Sequence, residues 1–183
     1  MKKYFIQYKP FLLFLSKFFL TYLLLTFLYQ GYLNSFGFNK MDSITNLVGQ
    51  NTKQLLGVFN VDFEFKENKT ESYLMLFYNQ KYVARIIEGC NAISIIILFV
   101  AFIVSFSGKL KTTILYIIGG SVAIYILNIV RIAVLCVLLY SFPEHETILH
   151  RILFPLFIYG FMFLLWVIWV NKFSLYAKKD IRS

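Results

Sequence analysis

The chain is poor in the residues that build metal and redox centres. It has two cysteines, Cys90 and Cys136, and two histidines, His145 and His150, among 183 residues. No Cys/His group has zinc-like spacing, and no glycine-rich loop is suited to cradle a phosphate. The expectation is therefore a protein without metal, nucleotide or redox cofactor. A disulfide between Cys90 and Cys136 is disfavoured, since one lies at a polar junction and the other inside an apolar run. Acids are scarce too, nine against eighteen basic residues, giving a net charge of +9. Basic flanks of membrane spans are a commoner cause of such an excess than nucleic acid, so no nucleic-acid partner is expected.

Apolar side chains are abundant. The chain is 59% hydrophobic and 20% aromatic, with mean hydropathy +0.68. A soluble domain of this length has no core large enough to hide that much apolar surface. The composition implies an integral membrane protein, with the lipid bilayer as its surroundings.

Read in order, the chain divides into runs that match this class. Residues 1–10 are basic, and 11–29 form a first apolar run interrupted by Lys17. That run exceeds a signal-peptide core and no small-residue cleavage site follows, so a retained first span is expected, with Lys17 snorkelling to the inner face. Residues 30–89 are the one sizeable polar segment. Within it Asp42 and Ser43 can cap an amphipathic helix carrying Ile44, Leu47, Val48, Leu55 and Leu56.

The period then changes to two. Phe59, Val61, Phe63 and Phe65 alternate with polar residues, and two further strands over 73–78 and 81–87 are separated by Asn79-Gln80. This predicts a three-stranded antiparallel meander. A second span follows at 91–106, then the basic loop 107–111 and an apolar stretch 112–142, too long for one ordinary span. Its residues beyond 131 should extend past the bilayer, tilt, or break near Asn128. Pro143 to Glu146 form a polar break with Thr147 as a cap, and the last span is 150–170, ahead of a basic tail over 171–183.

The fold expected is one membrane domain over 1–183, an α-helical integral membrane protein. It has four transmembrane helices and a small extracytoplasmic α/β insertion made of one amphipathic helix and the meander. Four spans put both termini on one side. The N-terminal segment, the 107–111 loop and the tail are strongly basic, with Asp180 their one acid. The positive-inside rule makes these cytoplasmic.

That orientation delivers three chemically useful side chains to the outer face. Cys90, in Arg85-Ile86-Ile87-Glu88-Gly89-Cys90-Asn91-Ala92, stands where a strand meets an apolar run. Placed at the first turn of a helix, its thiolate would be favoured by unpaired N–H groups. The alternative is a small packed residue. Arg131 near the top of the third span could steady an oxyanion, or serve as a structural partner or interfacial anchor. His150 at the start of the fourth could activate the thiol and protonate a leaving amine, or simply anchor that end. His145 is its rival. Glu88 could orient the histidine, Asn128 shares a helix face with Arg131, and Asn91 adds polarity beside the thiol.

Glu88-Gly89-Cys90-Asn91-Ala92, then Asn128-Ile129-Val130-Arg131-Ile132, then His150 ahead of Phe154-Pro155 resembles the exosortase/archaeosortase family, most of all its compact bacterial branch, XrtF. The likeness covers about 85–170. The chain reads Cys-Asn-Ala where many members have Cys-Ser-Gly, and it is shorter than the eight-span members. The resemblance implies a membrane cysteine transpeptidase or protease of the cell inner membrane. Its substrates would be exported proteins with a C-terminal motif, a transmembrane helix and a basic tail. By position, Cys90 would be the nucleophile, His150 the acid/base and Arg131 the transition-state stabiliser. A purely hydrolytic enzyme, or a non-catalytic assembly or lipid-binding factor, is the alternative.

Overall fold

The computed structural model describes residues 2–36, 40–59, 63–68, 73–106 and 108–174. Side chains of residues 2–7, 67 and 88 lie outside this description, as do residues 60–62, 69–72 and 175–183. The protein is mostly helical, with a small three-stranded antiparallel sheet.

Helix α1 runs over Lys2–Asn34 with Pro10 inside it, so the carbonyl of residue 6 loses its helical amide partner there. Phe11, Leu20, Leu23, Leu24 and Phe27 are exposed along it. An apolar exterior of this kind is stable against lipid and unstable against water. Its other side meets helix α3, Ile93–Ser105, through ring pairs Phe14–Phe106 and Phe18–Phe102.

Helix α4, Leu110–Ser141, passes Asn128 without a break. The buried residues Gly120, Ile124, Asn128, Ile132 and Cys136 recur every four positions and form the stripe that faces the protein. Gly120 is required there, because a Cβ would run into the ring of Phe99 on α3. The final helical run, α5, covers Pro143–Phe173. It opens with a 3-10 turn and carries a π turn at Leu149–Leu153 just ahead of Pro155. Proline has no N–H for the carbonyl of Arg151 and its ring crowds that carbonyl, which widens the turn. Thr147 makes no capping bond, and helix begins at Pro143 rather than at His150.

Three segments are long and apolar enough to cross a membrane: Tyr8–Asn34, Leu110–Ser141 and Pro143–Phe173, with mean hydropathy 2.1, 2.6 and 2.3. Helix α3 has 13 residues. It rises about 20 Å, against roughly 30 Å of hydrocarbon. It is nonetheless the centre of the bundle: Phe99, Ala101 and Ile103 are fully buried, and α1, α4 and α5 all pack on it.

The insertion holds the expected helix and three strands, with different residues at their margins. Asp42 caps helix α2, Ser43–Val58, accepting from the amides of Ile44 and Thr45 at 2.9 Å each. Its buried face is Thr45, Val48, Gly49, Thr52 and Leu56, whereas Leu47 points outward. Small residues win these positions because the sheet comes close, and a Cβ on Gly49 would strike Leu74. Phe59, expected on a strand, ends α2 as its C-cap. Val61 lies outside the described residues.

Strands β1 (Phe63–Glu67), β2 (Tyr73–Tyr78) and β3 (Lys81–Ile87) form the sheet in the order β1-β2-β3. Asn79 and Gln80 both have positive φ, 47° and 64°, as a two-residue hairpin turn of the favoured twist demands. Val48, Leu56, Leu74, Leu76 and Ile86 of the insertion share one core with Ile132, Ala133 and Cys136 of α4. That packing accounts for the surplus length of α4, whose upper third is a wall of the insertion.

Candidate functional site around Cys90

β3 ends at Ile87 and passes into a 3-10 turn, Glu88–Cys90. Cys90 is thus one turn earlier than the first turn of α3, which begins at Ile93 after Ala92 in the left-handed region, φ 63°. The first free amide of α3 is taken by a side chain: Ile93 N–H donates to Asn91 Oδ1 at 3.1 Å. Cys90 therefore stands ahead of the first turn of α3, not within it as the sequence suggests.

Asn91 is 1% exposed. Its Nδ2 donates to the Tyr29 hydroxyl at 2.6 Å and to Thr45 Oγ1 at 3.1 Å, tying α1, α2 and the start of α3 together. This is a pin that fixes the turn bearing Cys90, and its amide is fully engaged. Asn128 holds the same turn from α4, donating from Nδ2 to the Cys90 carbonyl at 2.8 Å.

Cys90 is a half-buried free thiol, packed against the core that the insertion shares with α4. The Arg131 guanidinium is an electrostatic neighbour of the thiol, and Tyr159 of α5 is a further one of Arg131. Arg131 lies one helical turn above Asn128, so both reach the 88–92 turn from one face of α4. Two polar atoms here are buried with no hydrogen-bond partner among the described residues, Arg131 Nε and Asn128 Oδ1. Buried polar groups are nearly always satisfied, and such leftovers mark places where strain, function or a ligand takes up the difference.

The histidines stand apart. His150 is exposed on the π turn of α5 and borders a cavity of about 440 Å³, together with Tyr82, Arg85, Glu146 and Arg151. Cys90 and Arg131 do not line it; the cavity reaches Ile87, three residues before the thiol. Burial raises the Tyr82 phenol above its ordinary pKa, with Arg85 opposing and Glu146 reinforcing. His145 is exposed and set edge-on to Phe142, ring centroids 6.2 Å apart. The Glu88 side chain lies outside the described residues.

The structure thus brings Cys90, Arg131 and Asn128 together, assigns Asn91 to the scaffold, and leaves His150 at the mouth of a neighbouring cavity. Sequence reasoning missed Tyr82, Arg85, Arg151 and Tyr159. Arg151 had a signal, a charge at the head of an apolar run, whereas Tyr159 was one tyrosine among thirteen. No groups of His, Cys, Asp or Glu among the described residues suit a metal ion. No protein-family model, curated protein or solved structure matches this chain.

Proposed function

We propose that this protein is a membrane cysteine transpeptidase or peptidase of the exosortase kind. It would cleave C-terminal sorting signals of exported proteins at the outer face of the inner membrane. The observation that carries the reading is the meeting of the Cys90 thiol with the Arg131 guanidinium, delivered from different elements and held by Asn128. Supporting it, Arg131 Nε–H is a buried donor with no hydrogen-bond partner among the described residues, as an oxyanion-binding group should be before substrate arrives.

In this reading the Cys90 sulfur, as thiolate, attacks the scissile carbonyl carbon. The carbonyl oxygen becomes an oxyanion beside Arg131. Collapse breaks the C–N bond, and the leaving amine takes a proton from His150. A thioester remains, released by an acceptor amine in transfer or by water in hydrolysis, with His150 now accepting the proton. His150 reaches the thiol only after closure of the cavity mouth, and catalytic contacts do tighten on substrate binding.

The proposal includes a four-span topology with both termini cytoplasmic. Helix α3 is the second span, shortened because other helices shield it from lipid. Its C-terminal end agrees with this, since Gly108 just beyond it bridges to Ser174 at the end of α5. The test is Cys90→Ala in the native host, scored for exported proteins that keep their C-terminal tails. Accumulation of uncut forms is expected. Normal processing would instead favour a non-catalytic assembly factor. In parallel, a membrane-impermeant thiol reagent should label Cys90 from outside, and labelling only after permeabilisation would overturn the orientation.

A further inference from the structure

β3 carries a bulge. Phe77 of β2 pairs with Tyr82 and Leu76 with Ala84, which leaves Val83 without a partner in the ladder. Directly opposed residues of an antiparallel pair share a face of the sheet, and so do Met75 and Phe77, two apart on one strand. Arg85 and Tyr82, opposite Met75 and Phe77, therefore stand on one side of the sheet although they are three apart. Without the extra residue they would point to opposite sides, and re-aiming a side chain is what bulges do. Val83 and Ala84 meanwhile pack into a small core with Leu139 and Phe154.

Tyr82 and Arg85 border the cavity of about 440 Å³, and α5 brings Glu146, Thr147, His150 and Arg151 to it. Arg85 and Arg151 outnumber the single carboxylate of Glu146 there, and neither arginine is in an ion pair among the described residues. The Arg85 guanidinium lies over the ring of Tyr73, 5.4 Å from its centroid, which restrains its plane. Just beyond Arg151 the outside of α5 turns apolar, with Ile152, Leu153, Leu156 and Phe157 exposed. The cavity thus sits at the head of a segment apolar enough to cross a membrane. A basic residue that only anchors a span snorkels by itself toward the lipid headgroups. Arg151 instead shares its space with Arg85 and Tyr82, which come from a different element.

We infer that this cavity binds the phosphate of an anionic phospholipid headgroup, held by the guanidinium forks of Arg85 and Arg151. The Tyr82 and Thr147 hydroxyls are further donors beside it, and the acyl chains lie along the exposed apolar face of α5. A planar guanidinium donates two parallel N–H bonds to a phosphate, and basic pockets at a membrane surface recognise lipid headgroups in this way. Two arginines against one carboxylate disfavour a headgroup that carries its own cation. The apolar residues directly beyond Arg151 favour a phosphate with chains attached over a soluble one. The site does not depend on the cysteine chemistry proposed above, although its wall reaches Ile87, three residues before Cys90.

The test uses the full chain in a neutral detergent, with bound lipid counted by native mass spectrometry. The probes are dioleoyl phosphatidylglycerol, dioleoyl phosphatidylcholine, dioleoylglycerol (chains without phosphate) and glycerol 3-phosphate (phosphate without chains). One phosphatidylglycerol should be retained about tenfold over phosphatidylcholine or dioleoylglycerol, as expected for a charge-assisted contact. That preference should vanish in Arg85→Gln/Arg151→Gln. It should persist in Lys109→Gln/Lys111→Gln, at the other end of α4, which separates the cavity from general attraction to a chain of net charge +9. Should the glutamine pair fail to fold, Arg85→Lys/Arg151→Lys carries the test: it keeps both charges, loses the forks, and should lose most of the preference. Equal retention of phosphatidylglycerol and dioleoylglycerol, a preference that survives Arg85→Gln/Arg151→Gln, or full preference in the lysine pair would overturn the site. Displacement of the lipid by an equal concentration of glycerol 3-phosphate would overturn the lipid assignment in favour of a soluble phosphate ester.

Discussion

Around Cys90 the polar atoms are gripped from several sides: Asn128 on its carbonyl, Asn91 on the next turn, Arg131 across from the sulfur. Around His150 the backbone itself departs from α geometry, the side chains are exposed, and the space is open. One region has its geometry set before any partner arrives. The other has room for a partner and lacks a fixed contact to the thiol. The difference teaches that side chains at a buried crossing of elements are fixed by their neighbours, whereas those on a widened turn at the surface keep their freedom.

Four outcomes would break or sharpen that contrast. The largest concerns the loose side. If His150 is the acid/base, His150→Ala lowers the rate of substrate processing by roughly 10²–10⁴, as loss of general catalysis does, and His145→Ala leaves it nearly unchanged. Pulse–chase of an exported protein with a C-terminal helix and basic tail reads both. The reverse ranking would transfer the role to the 3-10 turn, and two silent variants would reduce the cavity to lipid binding alone.

On the fixed side, Arg131→Ala should cost about 10²–10³ in the same assay, the usual scale for removing an oxyanion donor. Arg131→Lys, which keeps charge and loses the planar fork, should recover part of it. Equal rates for all three proteins would make Arg131 a structural anchor.

The scaffold predictions are smaller and thermal. Asn91→Ala strips three hydrogen bonds from a buried junction and should lower stability by about 1–3 kcal/mol, seen as a reduced Tm in nanodiscs. A Tm unchanged in Asn91→Ala would contradict the pin described here. Asp42→Ala removes the cap of α2 and should cost about 1 kcal/mol with processing otherwise intact. A processing defect larger than that loss explains would tie α2 to the site.

Much of the architecture was legible because it follows from periodicity and local chemistry. The two-residue alternation gave the meander, Asp42 gave the start of α2, and Asn79-Gln80 gave the hairpin turn. What was not legible depended on partners distant in sequence. The continuity of α4 past Asn128 follows from its packing on the insertion, which no local pattern announces. The buried face of α2 keeps Val48 and Leu56 and adds Thr45, Gly49 and Thr52 because the sheet approaches closely, while Leu47 turns outward. At the site, residue type and place in the chain singled out Cys90 and Arg131, and their proximity required the third dimension. So did the role of Asn91 and the cavity beside β3.

The uninterrupted 32 residues of α4 make it a mast for everything above the bundle. Each residue adds about 1.5 Å of height and about 100° of rotation, so the azimuth of Arg131 is counted from the loop at the other end of the same rod. A single-residue insertion near Leu115 would swing the guanidinium a quarter-turn off its target while leaving every local preference intact. Drift in this part of the chain is thereby restricted to changes that preserve length, whatever latitude the side chains on its outer flank enjoy.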